Sequence, residues 1–212
     1  MACAICEVRK PRRFCPGVNG DICTVCCGTE REVTVTCPLD CIYLQEARRH
    51  EKLPDVDPDQ FPNRDIRLTE DFVHENQELL LLIARSVMEA AFETRGAVDL
   101  DVRDALDSLI RTYRTLLSGV YYESRPVNAF ANNMFSLVQE AIAEFRRQEQ
   151  QRSGLSHVRD AEILGVLAFL QRLELSRNNG RPRSRAFLDF LRRFFPAEAG
   201  AAAPRTSSLI LP

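Results

Sequence analysis

Past Cys41 the chain contains no cysteine at all, which rules out a disulfide framework or thiolate metal site in the rest of its 212 residues. Lysine is nearly missing too, at two against twenty-six arginines. That skew fits a GC-rich coding sequence, and no function is read from it. Long apolar runs are absent. The longest, residues 79–84 and 163–170, fall far short of the ~20 residues a membrane span requires. No charged-then-apolar leader opens the sequence, so a reducing cytoplasmic setting is expected, where clustered cysteines hold metal more often than disulfides. Glycine-rich phosphate loops, a nucleophile elbow and a Cys–His nucleophilic pair are lacking as well, which argues against an enzyme. The net charge of −2 announces no polyanion partner. Charge is nevertheless uneven: residues 51–100 are acidic and residues 171–205 basic.

What is present sits at the start. Eight cysteines read Cys3-x2-Cys6, Cys15, Cys23-x2-Cys26-Cys27 and Cys37-x3-Cys41. A module of fifty residues buries too little apolar surface to be secure alone, so a metal is the expected support. Thiolates are preferred ligands of Zn2+, which takes four in a tetrahedron, and eight thiolates divide into two such structural sites. The favoured division gives Cys3, Cys6, Cys23 and Cys26 to one ion and Cys15, Cys27, Cys37 and Cys41 to the other. It rests on neighbouring Cys26 and Cys27 pointing apart in an extended chain. A second division pairs Cys3, Cys6, Cys37 and Cys41 and leaves the middle four together. If Pro38 opens a helix, Cys37 and Cys41 share one of its faces. Residues 32–36 alternate as a short strand, and knuckle, hairpin and ligand-bearing helix together suggest a treble-clef-type fold. His50 is a possible substitute ligand, more simply read as a solvated helix end. Iron–sulfur, disulfide and redox-thiol readings are weaker. Arg9, Lys10, Arg12, Arg13 and Arg31 would offset the surplus of about four negative charges that two Zn2+ leave on eight thiolates.

Beyond the module, residues 51–65 read as an acidic, proline-rich linker or strap. Residues 66–196 carry helical periodicity and are expected to form an antiparallel bundle of about five helices, so the fold class is mainly α. Thr69 caps the first helix, whose unbroken 79–83 stretch suggests a central position. The second runs from about Asp101 to Ser118-Gly119. Pro126 opens the third, Ser156 caps the fourth and Ser184 the fifth, after a break at Asn178-Asn179-Gly180. Residues 197–212 are a tail, read either as a disordered end or as one whose Leu209-Ile210-Leu211 docks on the protein or on a partner.

At Cys15-Pro-Gly-Val-Asn-Gly, Cys26-Cys27-Gly-Thr-Glu-Arg-Glu-Val and Cys37-Pro-Leu-Asp-Cys-Ile-Tyr-Leu the chain resembles a group of uncharacterised bacterial proteins with a cysteine-rich N-terminal module. The resemblance spans roughly residues 3–50, with a fainter echo at 179–185. It implies metal binding and a bacterial source, and nothing about a partner.

In the helical part, Asp71-x-x-His74 has the spacing of a di-iron step but lacks the second step such a site needs, since His157 has no acid three residues before it. Glu140 and Glu144 read as solubilising charges, and Tyr121-Tyr122 as half-buried packing between helices. Arg181, Arg183 and Arg185 form a basic loop, either facing acidic residues or gripping phosphates. The reading these features support is a non-enzymatic zinc-binding interaction protein with a protein partner. A nucleic-acid-associated protein and a thiol or metal sensor are the alternatives.

Overall fold

The structure is a computed structural model that describes residues 2–52, 56–94, 96–154 and 158–195. It is mainly helical, with one small two-stranded hairpin near the N-terminus. Strands β1 (Arg13–Cys15) and β2 (Gly20–Ile22) pair antiparallel with Phe14 opposite Asp21. Helices α1 (Thr24–Thr29) and α2 (Ile42–His50) complete the cysteine module. Gly17 in the hairpin turn has a packing reason. A side chain there would collide with Val35 Cγ1 at 2.7 Å and the Thr36 carbonyl at 2.8 Å, so only glycine lets the hairpin tip lie on that segment.

Two local expectations fail in the module. Residues 32–36 make no strand; residues 30–35 close a tight loop, with three amides (Val33, Thr34, Val35) converging on the Glu30 carbonyl. Pro38 opens a turn rather than a helix, and Cys41 stands at the N-cap of α2. The strands form earlier, where the Gly17–Asn19 turn permits them (Asn19 φ 53°).

Six further helices follow: α3 (Glu70–Glu75), α4 (Gln77–Glu93), α5 (Asp99–Leu117), α6 (Ala129–Ser153), α7 (Asp160–Arg177) and α8 (Ala186–Phe194). Thr69 caps α3 as expected, its hydroxyl accepting from the Phe72 amide. The long first helix divides, however, at Asn76. Phe72 is drawn onto Gly165 of α7, where an added methyl would overlap its ring, so α3 leaves the axis of α4. Pairs α5–α7, α4–α6 and α5–α6 make the main packing, and α8 lies on α4, α5 and α7. The most enclosed helix is α7, buried at nearly every position from Ile163 to Leu170, whereas Leu81 of α4 is partly exposed. The central role expected of the 79–83 stretch therefore belongs to α7.

Other caps shift by a few residues. The third helix starts later than Pro126, which lies before it: Asn128 caps α6, its side-chain oxygen accepting the Phe130 amide. The N-cap of α8 is Arg185, while Ser184 lies one residue earlier, bonded to the Ala186 amide and to Asp99. The α7 cap is Arg159, whose amide Glu162 accepts; Ser156 lies outside the described residues. Residues 63–66 are a strap: Asn63 bonds Gln171, Arg114 grips Asn63 and Asp65, and Arg172 donates to the Asn63 and Ile66 carbonyls. No helix among the described residues is long and apolar enough to cross a membrane.

Candidate metal centre

Backbone geometry gathers the first sulfurs. After Cys6 the chain turns through a left-handed Glu7 (φ 56°), closed by the Glu7 amide on the Cys3 carbonyl and the Cys3 amide on the Arg9 carbonyl, both 2.9 Å. The turn aims the Arg9 and Val8 amides at the Cys6 sulfur and lowers that thiol's pKa. The hairpin then delivers Cys23 to the start of α1. There its sulfur accepts the Cys26 amide at 3.4 Å, while the Cys23 amide donates to the Cys3 sulfur at 3.2 Å. The sulfurs of Cys3, Cys6, Cys23 and Cys26 lie within 4.8 Å of one another, the one such group among the described residues. A tetrahedron of four thiolates around Zn2+, with bonds of about 2.3 Å, needs sulfur separations of about 3.8 Å, so the group fits one metal ion.

Its electrostatics point the same way. Amides of Cys6, Cys23 and Ile5 outweigh burial at Cys3 and bring that thiol down to about 6. Cys26 is pushed up to about 12, first by burial and then by the neighbouring sulfurs. Such crowding holds back full ionisation until a divalent cation is present, and a cation makes all four sulfurs thiolates. All eight cysteines are free.

Cys27 follows Cys26 within α1, and the roughly 100° between successive helical residues turns its sulfur away from that group. It lines a void of about 20 Å3 together with Cys15, Cys37 and Cys41. Their sulfurs are not drawn into a group as tight as the first. The division that pairs Cys3 and Cys6 with Cys37 and Cys41 is not the one the chain assembles. The separation of Cys26 from Cys27 was expected from extended chain; a helix provides it. Cys37 is pushed up to about 11 by burial, against the Glu32 amide, with Glu32, Cys15 and Cys41 adding to the rise. Arg13 and Arg31 each donate to the Cys27 sulfur, at 3.7 and 3.8 Å, and Arg13 lies 3.9 Å over the Tyr43 ring. Arg9 lies close enough to the Cys23 and Cys6 sulfurs for them to raise its pKa. Three of the five basic residues near the cysteines thus face sulfur.

The residue that periodicity missed is Glu32, which joins the module to the bundle. It is 1 % exposed and left-handed (φ 53°), between the Cys27 and Cys37 segments. Its carboxylate accepts from Arg48 at 2.7 Å, Asn179 at 2.9 Å and the Arg185 amide at 3.0 Å, and its carbonyl accepts the Arg183 amide at 2.8 Å. Arg48 continues to Asp189 of α8 at 2.8 Å. The basic loop faces this module and, of the acidic 51–100 segment, Glu51: Arg181 bonds the Arg31 carbonyl and lies 3.8 Å from the Glu51 carboxylate, Arg183 bonds the Thr36 hydroxyl, and Arg185 lies 5.6 Å over the Phe92 ring. The alternation of residues 32–36 disguised Glu32 as a strand surface; the echo at 179–185 was the available signal.

Other candidates do not assemble. His50 is exposed and, among the described residues, bonds Glu46 rather than a sulfur. Asp71 and His74 are exposed on α3, and His157 lies outside the described residues. Glu144 pairs with Arg147 at 2.7 Å. Tyr121 and Tyr122 are 71 % and 64 % exposed instead of packed between helices. Comparison with family models, curated proteins and solved structures found no match to this chain.

Proposed function

We propose that the chain is a non-enzymatic zinc-binding interaction protein, its module fixed by two zinc ions and its surface offered to a protein partner. The observation that carries this reading is the convergence of Cys3, Cys6, Cys23 and Cys26. Four thiolates complete the coordination of Zn2+ and leave no position for an activated water, so the ion's role is to shape the chain. The order of knuckle, hairpin and ligand-bearing α1 supports a treble-clef-type module. The second ion is assigned to Cys15, Cys27, Cys37 and Cys41, which share one void next to two guanidinium groups.

A protein partner is favoured by the exposed Val120, Tyr121, Tyr122 and Val127 between α5 and α6. The nucleic-acid alternative needs free arginines, and those of the 181–185 loop are engaged with the module and Phe92. The test is capture of a partner from native lysate by the full chain, with Cys37→Ser as the matched control, beside a polyanion column. A protein held by the parent chain and lost from the variant, with no polyanion retention, is expected. Polyanion binding that falls steeply with salt would establish the nucleic-acid reading instead. Loss of the partner on mild oxidation, with zinc retained, would establish the sensor reading.

A further inference from the structure

We propose that a pocket at the seam between module and bundle binds a phosphate dianion, free or as a small phosphomonoester. The pocket holds about 150 Å3, where a single water needs only about 10–15 Å3, so a tetrahedral oxyanion with a small substituent fits. Both parts of the molecule build it. Arg48, Glu51 and Lys52 line it from the end of the module, Arg177 from the last turn of α7, and Asp189, Phe190 and Arg193 from α8.

The charges of the lining select the ligand. Four cations stand against two carboxylates, and both carboxylates are already taken. Asp189 is held by Arg48, Arg192 and Arg193 at 2.8, 2.9 and 2.7 Å. Glu51 accepts from the Asn179 side-chain amide at 3.3 Å and lies 3.8 Å from Arg181. Lys52 and Arg177, by contrast, have no carboxylate partner among the described residues. Arg177 lies 4.7 Å over the Phe190 ring, a contact that positions the guanidinium and spends none of its five N–H donors. A planar donor fork held in this way suits an oxyanion, which it grips with two parallel bonds. The surplus of two positive charges selects a dianion: a phosphomonoester carries nearly two negative charges at neutral pH, a carboxylate only one. Counting the neighbours that touch these groups, Glu32 on one side and Arg181 and Arg192 on the other, keeps the balance positive. One recessed cluster reads a single phosphate and offers no track for a nucleic-acid backbone. Because the lining comes from both sides of the joint, an occupant ties module to bundle and stabilises the folded chain.

Isothermal titration calorimetry of the full chain at constant ionic strength tests the site, with inorganic phosphate, ethyl phosphate and acetate as probes. Saturable binding of one phosphate or ethyl phosphate per chain is expected, at least tenfold tighter than acetate. Equal affinity for the two phosphates would mean that the phosphate alone is read; a preference for the ester would place its substituent against Ala186 and Phe190. Arg177→Gln and Lys52→Gln remove groups without an ion partner, so both variants should fold and bind at least tenfold more weakly. Arg147→Gln, which removes an equal charge from α6, should bind as the parent does. Non-saturating heats, equal affinity for acetate, undiminished binding by Arg177→Gln, or an equal loss in Arg147→Gln would each overturn the proposal. Urea unfolding gives a second readout. Saturating phosphate should raise the midpoint of the parent chain and not that of Arg177→Gln; an equal rise in both would overturn the site.

Discussion

Single side chains here do work that composition does not reveal, and Asp99 shows it. Fully buried at the start of α5, its carboxylate accepts from the Ser184 hydroxyl at 2.6 Å and from the Phe187 and Leu188 amides at 3.0 and 3.1 Å. It thereby supplies, from another helix, the acceptor for the first turn of α8. Burial is the largest influence on it and raises its pKa, opposed by these donors and assisted by Glu32. Arg103, Arg185 and Glu174 also face it. A raised pKa means the folded form keeps a proton that the unfolded chain has lost. Its favourable contribution is therefore complete below the unfolded value and disappears as pH rises through the folded one. Relative to Asp99→Asn, the parent chain should gain stability as pH falls from about 7 to about 4, measured by urea unfolding; a constant difference would contradict this. Gly165 gives a second case. Alanine there gains about 1 kcal/mol of helix propensity but overpacks against Phe72 at about 1–3 kcal/mol. A lower urea midpoint is expected, turning into a higher one in a Phe72→Ala background; a rise in both backgrounds would show that the two residues do not press on each other.

Among the elements, the docking of module onto bundle depends on a loop, not on an apolar face. The 178–185 segment leaves α7 at Asn178, whose side chain bonds the buried Glu174 and the Gly180 amide, and presents its backbone and arginines to Glu32. Glu32 and Arg48 have side chains only 1 % and 9 % exposed. Removing one member of a buried pair strands the other, so Glu32→Ala should cost about 3–5 kcal/mol. Arg85→Ala, at an ion pair roughly half exposed on both sides, should cost less than about 1 kcal/mol. Equal losses in chemical denaturation would remove Glu32 from its place at the joint. Much of the helical part was legible, since apolar periodicity marked α4 to α8 and glycine or asparagine marked several ends. The break at Asn76 was not, because it arises from Phe72 meeting Gly165, ninety-three positions away in sequence. The α8 cap was half legible: Ser184 was visible, but Asp99 reaches it only through the tertiary fold. Spacing did group Cys3 and Cys6 with Cys23 and Cys26, because two knuckles of the same kind converge locally. It misplaced the strands and the start of α2, where thiolate positions rather than propensity set the path.

For the whole molecule, two kinds of core are joined. The helical part buries a contiguous set of Leu, Ile, Val and Phe across five helices, whereas five of the module's nine buried core residues are cysteine. A core so poor in hydrocarbon gains little from excluding water, and its shape must come from bonds to something else. Removing metal should therefore dissolve the module and leave α4–α8 helical, and the joint at Glu32 should be lost with it. The most direct test is native mass spectrometry of the full chain in reductant, with alkylation of free thiols before and after chelation. The account predicts a mass corresponding to two bound zinc ions, eight cysteines protected before chelation and eight alkylated after it. A metal-free mass, with cysteines alkylated at once or closed into four disulfides, would contradict it.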